Sequence, residues 1–212
     1  MRGPSHVVFG LAGAVVINSL LPTHPAGQAL TLAGPYTPDV IAEKVIYYGF
    51  AALGALTPDI DNARSTLGKR LGPVSKEIQH LAGHRKFFHS LAGLIIVGAL
   101  VWAIQYGLGL ALYHLGLRVA SSYLGSGIAP GGFLAPGVGI AFAGLMIGYF
   151  LHLVADSLTE GGVPWLWPSK ARFGFPPDRH WRFRTGSIWE PIIVVTVAVL
   201  VIVGVVFGKL TL

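Results

Sequence analysis

The chain contains no cysteine, and only 11% of its 212 residues are charged. Without cysteine there is no disulfide framework, no thiolate metal site and no cysteine nucleophile, so a bound metal would need nitrogen and oxygen ligands. The low charge, together with 53% hydrophobic residues, excludes an ordinary soluble domain. Glycine is abundant instead, with 29 residues, as is typical of closely packed membrane helices.

Long apolar stretches predict an all-α membrane protein. A helix needs about 20 mostly apolar residues to cross a bilayer. The last three stretches meet this length, and the first two are shorter. We therefore expect one integral membrane domain over residues 1–212, with five helices in one bundle at about 6–21, 40–56, 88–117, 138–158 and 188–208. The basic loops 57–87 and 159–187 connect helices two and three and helices four and five.

The cations are distributed unevenly between the two ends of this bundle. If the chain weaves up and down five times, all but three of the 15 lysines and arginines fall at one end, the exceptions being Lys44, Arg118 and Lys209. By the positive-inside rule the basic end is cytoplasmic. Anionic headgroups or phosphate would also attract these loops.

The same weave places most of the histidines and acids of the helix ends at the basic end. They belong to all five helices: His6 in helix one, Asp59 and Asp61 (TPDID) after helix two, His84 and His89 at the start of helix three, His152 and Asp156 (HLVAD) near the end of helix four, and Glu190 at the start of helix five. Residues far apart in sequence are thus predicted to meet at one membrane depth.

These residue types are typical metal ligands. His152 and Asp156 are four apart and share a helix face, and Asp59 and Asp61 would point the same way from an extended chain. His/Asp ligation without thiolate favours Zn, with Mn, Fe or Mg as alternatives. The candidate ligands exceed one tetrahedral site, so one or two divalent ions are expected, with some residues acting as supports or bases: His6, Asp59, Asp61, His84, His89, His152 and Asp156.

Each motif also has a purely structural interpretation. His6 alone could be an interfacial residue, and TPDID alone could be a helix stop with a capping Asp. Arg85 and Lys86 could be positive-inside charges, and VPWLWPSKARFGFP could be an aromatic belt with cationic flanks. HLVAD argues more strongly for function, because a carboxylate inside a span is costly. It is the convergence at one end that favours a metal site.

The strings LTPDIDNARSTLGKRL, GHRKFFHSL and GYFLHLVADSLTEGGVPWLWPSKARFGFP, in this order, resemble the YdjM-type family, also described as YbcI-like or LexA-regulated. The resemblance implies a prokaryotic inner-membrane metal-dependent hydrolase with ligands among the residues above. Lys86 and Phe88 depart from the family's HRxxTHS pattern, and Asn62 stands where the family often has His. A more distant similarity is to zinc-dependent phospholipase C.

The expected function is therefore that of a metal-dependent phosphoesterase acting on a phosphorylated membrane lipid. Asp61 or Glu190 would take a proton, while Arg85, Lys86 and Arg172 would bind the substrate anion. The alternatives are an ion or small-molecule transporter, and a structural or regulatory membrane protein with a non-catalytic metal. No nucleic-acid partner is expected, because no recognised module accompanies the basic loops.

Overall fold

The computed structural model describes residues 1–21, 27, 36–82, 86–114 and 136–212, and nearly all regular structure in these ranges is helical. The α-helices are α1 Gly3–Leu20, α2 Pro38–Gly54, α3 Thr66–Leu71, α4 Pro73–Ala82, α5 Leu91–His114, α6 Pro136–Ser157 and α7 Trp189–Val206. Short 3-10 helices occupy Thr57–Asp61 and Arg179–Trp181. Extended pairing in the described ranges is limited to two isolated bridges, Thr159–Phe183 and Val163–Phe173.

Within the described ranges, five helical segments are long and apolar enough to cross a membrane: Gly3–Leu20, Pro38–Asp61, Leu91–Ala111, Gly137–Ser157 and Trp189–Val206. The predicted all-α membrane architecture is thereby confirmed. Two details differ from expectation. The segment 57–87 is not simply a loop, because it contains a 3-10 helix, α3 and α4. His89 does not start the third long helix but lies in the turn before it, since Ser90 caps that helix by accepting a hydrogen bond from Gly93 N at 3.1 Å.

Proline and short polar residues set several helix starts. Pro4 lies in the first turn of α1, where the missing N–H costs nothing. Thr37 caps α2 by accepting a hydrogen bond from Val40 N at 3.4 Å, and Pro38 follows it. Ser65 caps α3 in the same way, with Gly68 N donating to its Oγ at 2.8 Å. The long helices begin where local sequence favours them, and hydrophobic burial then fixes their packing.

The packing of α2 against α6 is the most extensive helix contact, and glycine makes it close. A Cβ added at Gly144 would collide with Tyr47 O, and one added at Gly148 would collide with Ala51 O. Without side chains at these positions, the two backbones approach directly, as in small-xxx-small membrane interfaces. This contact continues one turn further to His152, which is the first residue of the candidate site.

Helix α6 lies at the centre of the bundle. More than half of its spanning segment is buried, whereas only about a tenth of the α5 and α7 segments is. It contacts α1, α2 and α5, while α7 packs on α1. A buried cluster of Ala14, Tyr47, Ala51, Ile140 and Leu151 joins α1, α2 and α6. The three helices that carry His6, the TPDID segment and HLVAD are therefore held in one core.

Candidate metal centre

Helix α6 fixes the orientation of His152 through the backbone of α2. His152 Nδ1 lies 2.7 Å from the carbonyl oxygen of Ala55, and the ring is fully buried. Because a carbonyl can only accept, Nδ1 carries the proton and Nε2 keeps its lone pair. A histidine held in this way presents Nε2 as a metal ligand. Asp156, one turn further along, is 2% exposed and lies on the same face.

Two serines hold the 3-10 helix that carries Asp59 and Asp61. Ser65 Oγ donates to Asp59 O at 2.8 Å, and Ser75 Oγ donates to Ile60 O at 2.7 Å. These bonds come from α3 and α4, so the two short helices act as a brace behind the aspartates. Both aspartates are buried, Asp61 completely. Buried carboxylates need cationic or hydrogen-bonding partners, which the site supplies.

The turn before α5 positions His89. Ser90 Oγ donates to Phe87 O at 2.6 Å, and the hydroxyl of Tyr149 on α6 donates to Phe88 O at 2.7 Å. The turn is thereby attached to the central helix. His89 Nε2 comes to lie 3.3 Å from His152 Nε2.

Four buried ligand atoms from three segments converge. His89 Nε2 lies 3.3 Å from His152 Nε2, 3.8 Å from Asp59 Oδ1 and 3.7 Å from Asp156 Oδ2. His152 Nε2 lies 3.8 Å from the same Asp156 oxygen. A tetrahedral ion with ligands at about 2.0–2.1 Å separates those ligands by roughly 3.4 Å. The ligand atoms of His89, His152 and Asp156, which are 3.3–3.8 Å from one another, therefore fit three corners of a slightly expanded tetrahedron, with Asp59 on the side of His89.

The two facing histidine nitrogens need a cation between them. His152 Nδ1 donates to Ala55 O, and His89 Nδ1 faces Asp61 Oδ2 at 3.4 Å. If the proton of His89 is placed on Nδ1, the nitrogen that faces Asp61, the two Nε2 lone pairs point at each other across 3.3 Å. Such lone pairs repel unless a proton or a metal ion lies between them, so these residues fit a metal ion.

His6 completes a second, overlapping group with His152 and Asp156, whose ligand atoms also lie within 4.8 Å of one another. Its ring stacks on that of His152 with centroids 3.6 Å apart, and its Nε2 lies 3.3 Å from Asp156 Oδ1. The Met1 amino group contacts the same carboxylate oxygen. Among the described residues, neither ring nitrogen of His6 has a hydrogen-bond partner of good geometry. The cluster therefore offers donors for one ion or for two.

The expectation that Asp59 and Asp61 point the same way from an extended chain is wrong. They lie in a 3-10 helix, where residues two apart are rotated by about 240°. As a result the two carboxylates lie beside different nitrogens of one imidazole, Asp59 near Nε2 and Asp61 near Nδ1. Asp61 is thus placed to orient His89, in the manner of the carboxylate–histidine–metal arrangement.

Glu190 is buried at the start of α7, and its carboxylate accepts hydrogen bonds from backbone groups. Arg2 N donates to Oε1 at 2.7 Å, and Gly186 N donates to Oε2 at 2.6 Å. These bonds attach the first turn of α1, which carries His6, to the start of α7. In this arrangement Glu190 is an anchor for α1.

The remaining predicted residues are dispersed. His84 and Arg85 lie outside the described residues. Lys86 is exposed. Arg172 is also exposed, and its Nη1 donates to Gly161 O at 3.0 Å. The predicted substrate-binding roles of Arg85, Lys86 and Arg172 stay predictions.

Sequence reasoning missed two kinds of residue. The carbonyl of Ala55 and the small residues Gly144 and Gly148 were not singled out, although their four-residue spacing leads directly to His152. Asn18 and Lys44 are buried in the other half of α1 and α2, at 0% and 6% exposure. For Asn18 and Lys44, the signal in the sequence was a lysine within an apolar helix, which is rare and indicates a functional position.

The family model described as "YdjM inner membrane protein" matches residues 1–211. The inner membrane protein YdjM of Escherichia coli (strain K12) is 39% identical over 126 residues, which cover 59% of this chain and 51% of that protein. The uncharacterized protein YvsG of Bacillus subtilis (strain 168) is 30% identical over 155 residues, covering 69% of this chain and 75% of that protein.

The chain spans about half the length of the Escherichia coli relative that it matches. No solved structure gives a significant match. The similarity to phospholipase C stays a prediction.

Proposed function

Because the chain belongs to the YdjM inner membrane protein family and gathers buried metal ligands at one end of its helices, we propose that it is a membrane-embedded metal-dependent hydrolase. Its substrate would be a membrane lipid with a phosphorylated headgroup. The observation that carries the proposal is the pair of Nε2 atoms of His89 and His152, facing each other at 3.3 Å with carboxylates on either side.

The ligand chemistry favours zinc among the divalent ions. Two imidazoles and two carboxylates without thiolate suit Zn, and also Mn or Fe, better than the all-oxygen sites of Mg. His89, His152 and Asp156 would hold the ion with Asp59 beside His89, and three protein donors would leave a position open for water or substrate. A divalent ion held there would act as a Lewis acid, polarising a phosphoryl oxygen and acidifying a water molecule.

The residues around these ligands would orient the ligands, accept a proton and contact the substrate anion. Asp61 orients His89, and the Ala55 carbonyl orients His152. With one ion in place, His6 is the buried base beside Asp156, and we assign proton acceptance to it rather than to Asp61 or Glu190. Glu190 keeps His6 in position by holding the first turn of α1. Lys86 is exposed and lies three residues before His89, and we assign it contact with the substrate anion.

The depth of the site supports a lipid substrate. Its ligands lie at the ends of segments that are apolar enough to span a membrane, so a headgroup at the bilayer surface would be level with them. The excess of lysine and arginine in the loops at this end further supports a cytoplasmic orientation.

A structural metal site is the second candidate. Four protein donors are enough to complete a tetrahedron, and closed four-ligand sites are typical of structural zinc. In that case the ion would hold the 3-10 helix, the His89 turn and α6 together without turnover.

One experiment tests the proposal and separates the two candidates. Detergent-purified wild type, Asp156→Ala and the control Asp178→Ala are compared for metal content by mass spectrometry and for phosphate release from phosphorylated lipids. Asp178 is an exposed carboxylate that accepts a hydrogen bond from His180 N and belongs to neither group of candidate ligands. We expect stoichiometric metal and phosphate release in wild type and the control, and loss of both in Asp156→Ala. Metal without release from any lipid would favour the structural role, and a metal-free wild type after reconstitution would contradict both.

A further inference from the structure

The connection between α6 and α7 presents large aromatic side chains to its surroundings. Exposure reaches 78% for Trp181, 68% for Phe175 and 60% for Trp189. Leu166 and Phe173 are also about half exposed. Isolated exposed apolar residues are ordinary, but several large ones in one short segment mark an interaction surface. We call the exposed side chains of residues 166–189 the interface loop.

Hydrogen bonds hold the backbone of the interface loop in place. The exposure of these side chains therefore follows from the fold of the segment. Val163 and Phe173 exchange two backbone hydrogen bonds at 2.8 and 2.9 Å. Phe175 N donates to Ser157 O at 2.8 Å, which attaches the loop to the end of α6. Arg182 Nη2 donates to Pro177 O at 3.0 Å and closes the outer turn. The backbone of the loop is therefore already ordered in the unbound protein, which lowers the entropic cost of binding a partner.

The charge of the interface loop is strongly positive. Four cations of the loop are exposed: Lys170, Arg172, Arg179 and Arg184. Residues 161–189 contain one acidic residue, Asp178. The carboxylate of Asp178 caps the 3-10 helix by accepting from His180 N at 2.9 Å. The complementary partner is anionic.

The position of the interface loop in the chain indicates which kind of anionic partner it binds. It joins the ends of two segments that are apolar enough to span a membrane, so both of its ends would lie at the level of the bilayer surface. Tryptophan rings favour this level, where one edge is apolar and the other is wet, and nearby cations favour anionic headgroups. We propose that the interface loop is a docking surface for anionic phospholipids, with its aromatic rings inserted among the headgroups. This binding requires no hydrolysis and is independent of the function proposed above.

The lack of cysteine makes the first test direct. A fluorophore is attached to Trp181→Cys in the full chain, and the protein is placed in nanodiscs with lipids brominated near the headgroup. Quenching is expected, and it should be stronger with phosphatidylglycerol than with phosphatidylcholine alone. A label that stays unquenched on both bilayers would overturn the proposal. So would a label that responds to a single-stranded oligonucleotide and not to lipid, which would assign the surface to a polyanionic macromolecule.

The second test isolates the cations. The labelled protein in detergent is titrated with phosphatidylglycerol, with Arg179→Gln/Arg184→Gln as the variant and Lys69→Gln/Arg70→Gln on α3 as the control of equal charge. Each cation near a membrane surface contributes roughly a fivefold change in affinity, so the loop pair should raise the apparent Kd roughly 25-fold. The control should change it little. An equal loss of phosphatidylglycerol affinity in the two double variants would show that only net charge matters, and it would refute the assignment of binding to the interface loop. If the thermal melt shows that the Arg179→Gln/Arg184→Gln variant is unfolded, Arg184→Gln alone is used instead, and it should raise the apparent Kd about fivefold.

Discussion

Gly148 lies one turn before the candidate ligand His152, and replacing it with alanine should weaken metal binding although its position carries no side chain that could reach an ion. The new Cβ would lie 2.8 Å from the Ala51 carbonyl carbon and 2.9 Å from Ala55 N, and closer still to the Ala51 oxygen. Ordinary contacts between carbon atoms need about 3.5–4.0 Å. Helices α2 and α6 must therefore separate by about 1 Å at this level.

That separation acts on the support of His152. Its Nδ1 lies 2.7 Å from Ala55 O, one turn beyond the collision, and a shift of about 1 Å takes this contact beyond hydrogen-bond range. Loss of such a support for a metal ligand typically costs 10–100-fold in metal affinity, or about 1.4–2.7 kcal/mol. Overpacking should also lower the free energy of unfolding by roughly 1–3 kcal/mol.

The assay is competition for zinc against a chromophoric chelator in nanodiscs. Gly139→Ala is the matched control, because it lies on the same helix and a Cβ there meets nothing within 4 Å. We expect the control to bind like wild type. Wild-type affinity in Gly148→Ala would refute the reasoning, and an equal loss in Gly139→Ala would attribute the effect to glycine replacement in general.

Two further outcomes are expected from the same preparation. Asp61→Asn should lower zinc affinity about 10–100-fold, because the carboxylate that faces His89 Nδ1 at 3.4 Å becomes neutral, and unchanged affinity would show that Asp61 does not orient His89. Glu190→Gln should reduce the thermal midpoint by several degrees, since hydrogen bonds to charged groups are worth about 1.5–3 kcal/mol. A melt that coincides with that of Glu77→Gln, an exposed acid on α4, would contradict the anchoring role.

The helices were predictable because apolar length is a local property of the sequence. Residues 191–206 contain no charged residue, and a segment of that kind has few alternatives to a membrane helix. The meeting of His6, Asp59, His89, His152 and Asp156 was predictable from counting spans, since alternate helix ends share one side. Neither inference needed side-chain detail.

Roles within the cluster depended on geometry that spacing does not encode. Asp59 and Asp61 look equivalent in TPDID, but the 3-10 turn places them beside opposite nitrogens of His89. Glu190 looks like a proton acceptor in sequence, yet two backbone N–H groups donate to its carboxylate. Partner choice of this kind follows from tertiary packing, which a single sequence does not show.

The hydrogen bonds of Glu190 also have a consequence for biosynthesis. His6 is synthesised long before Glu190, whose carboxylate at the start of α7 holds the first turn of α1. The early helices can be inserted with the first turn of α1 unanchored, and the cluster acquires its final geometry only after α7 has joined them. Translation that stops before Glu190 would leave a membrane-inserted chain with the other ligands but with His6 unsecured. Synthesis of α7 therefore supplies the hydrogen bonds that secure His6 in the candidate metal site.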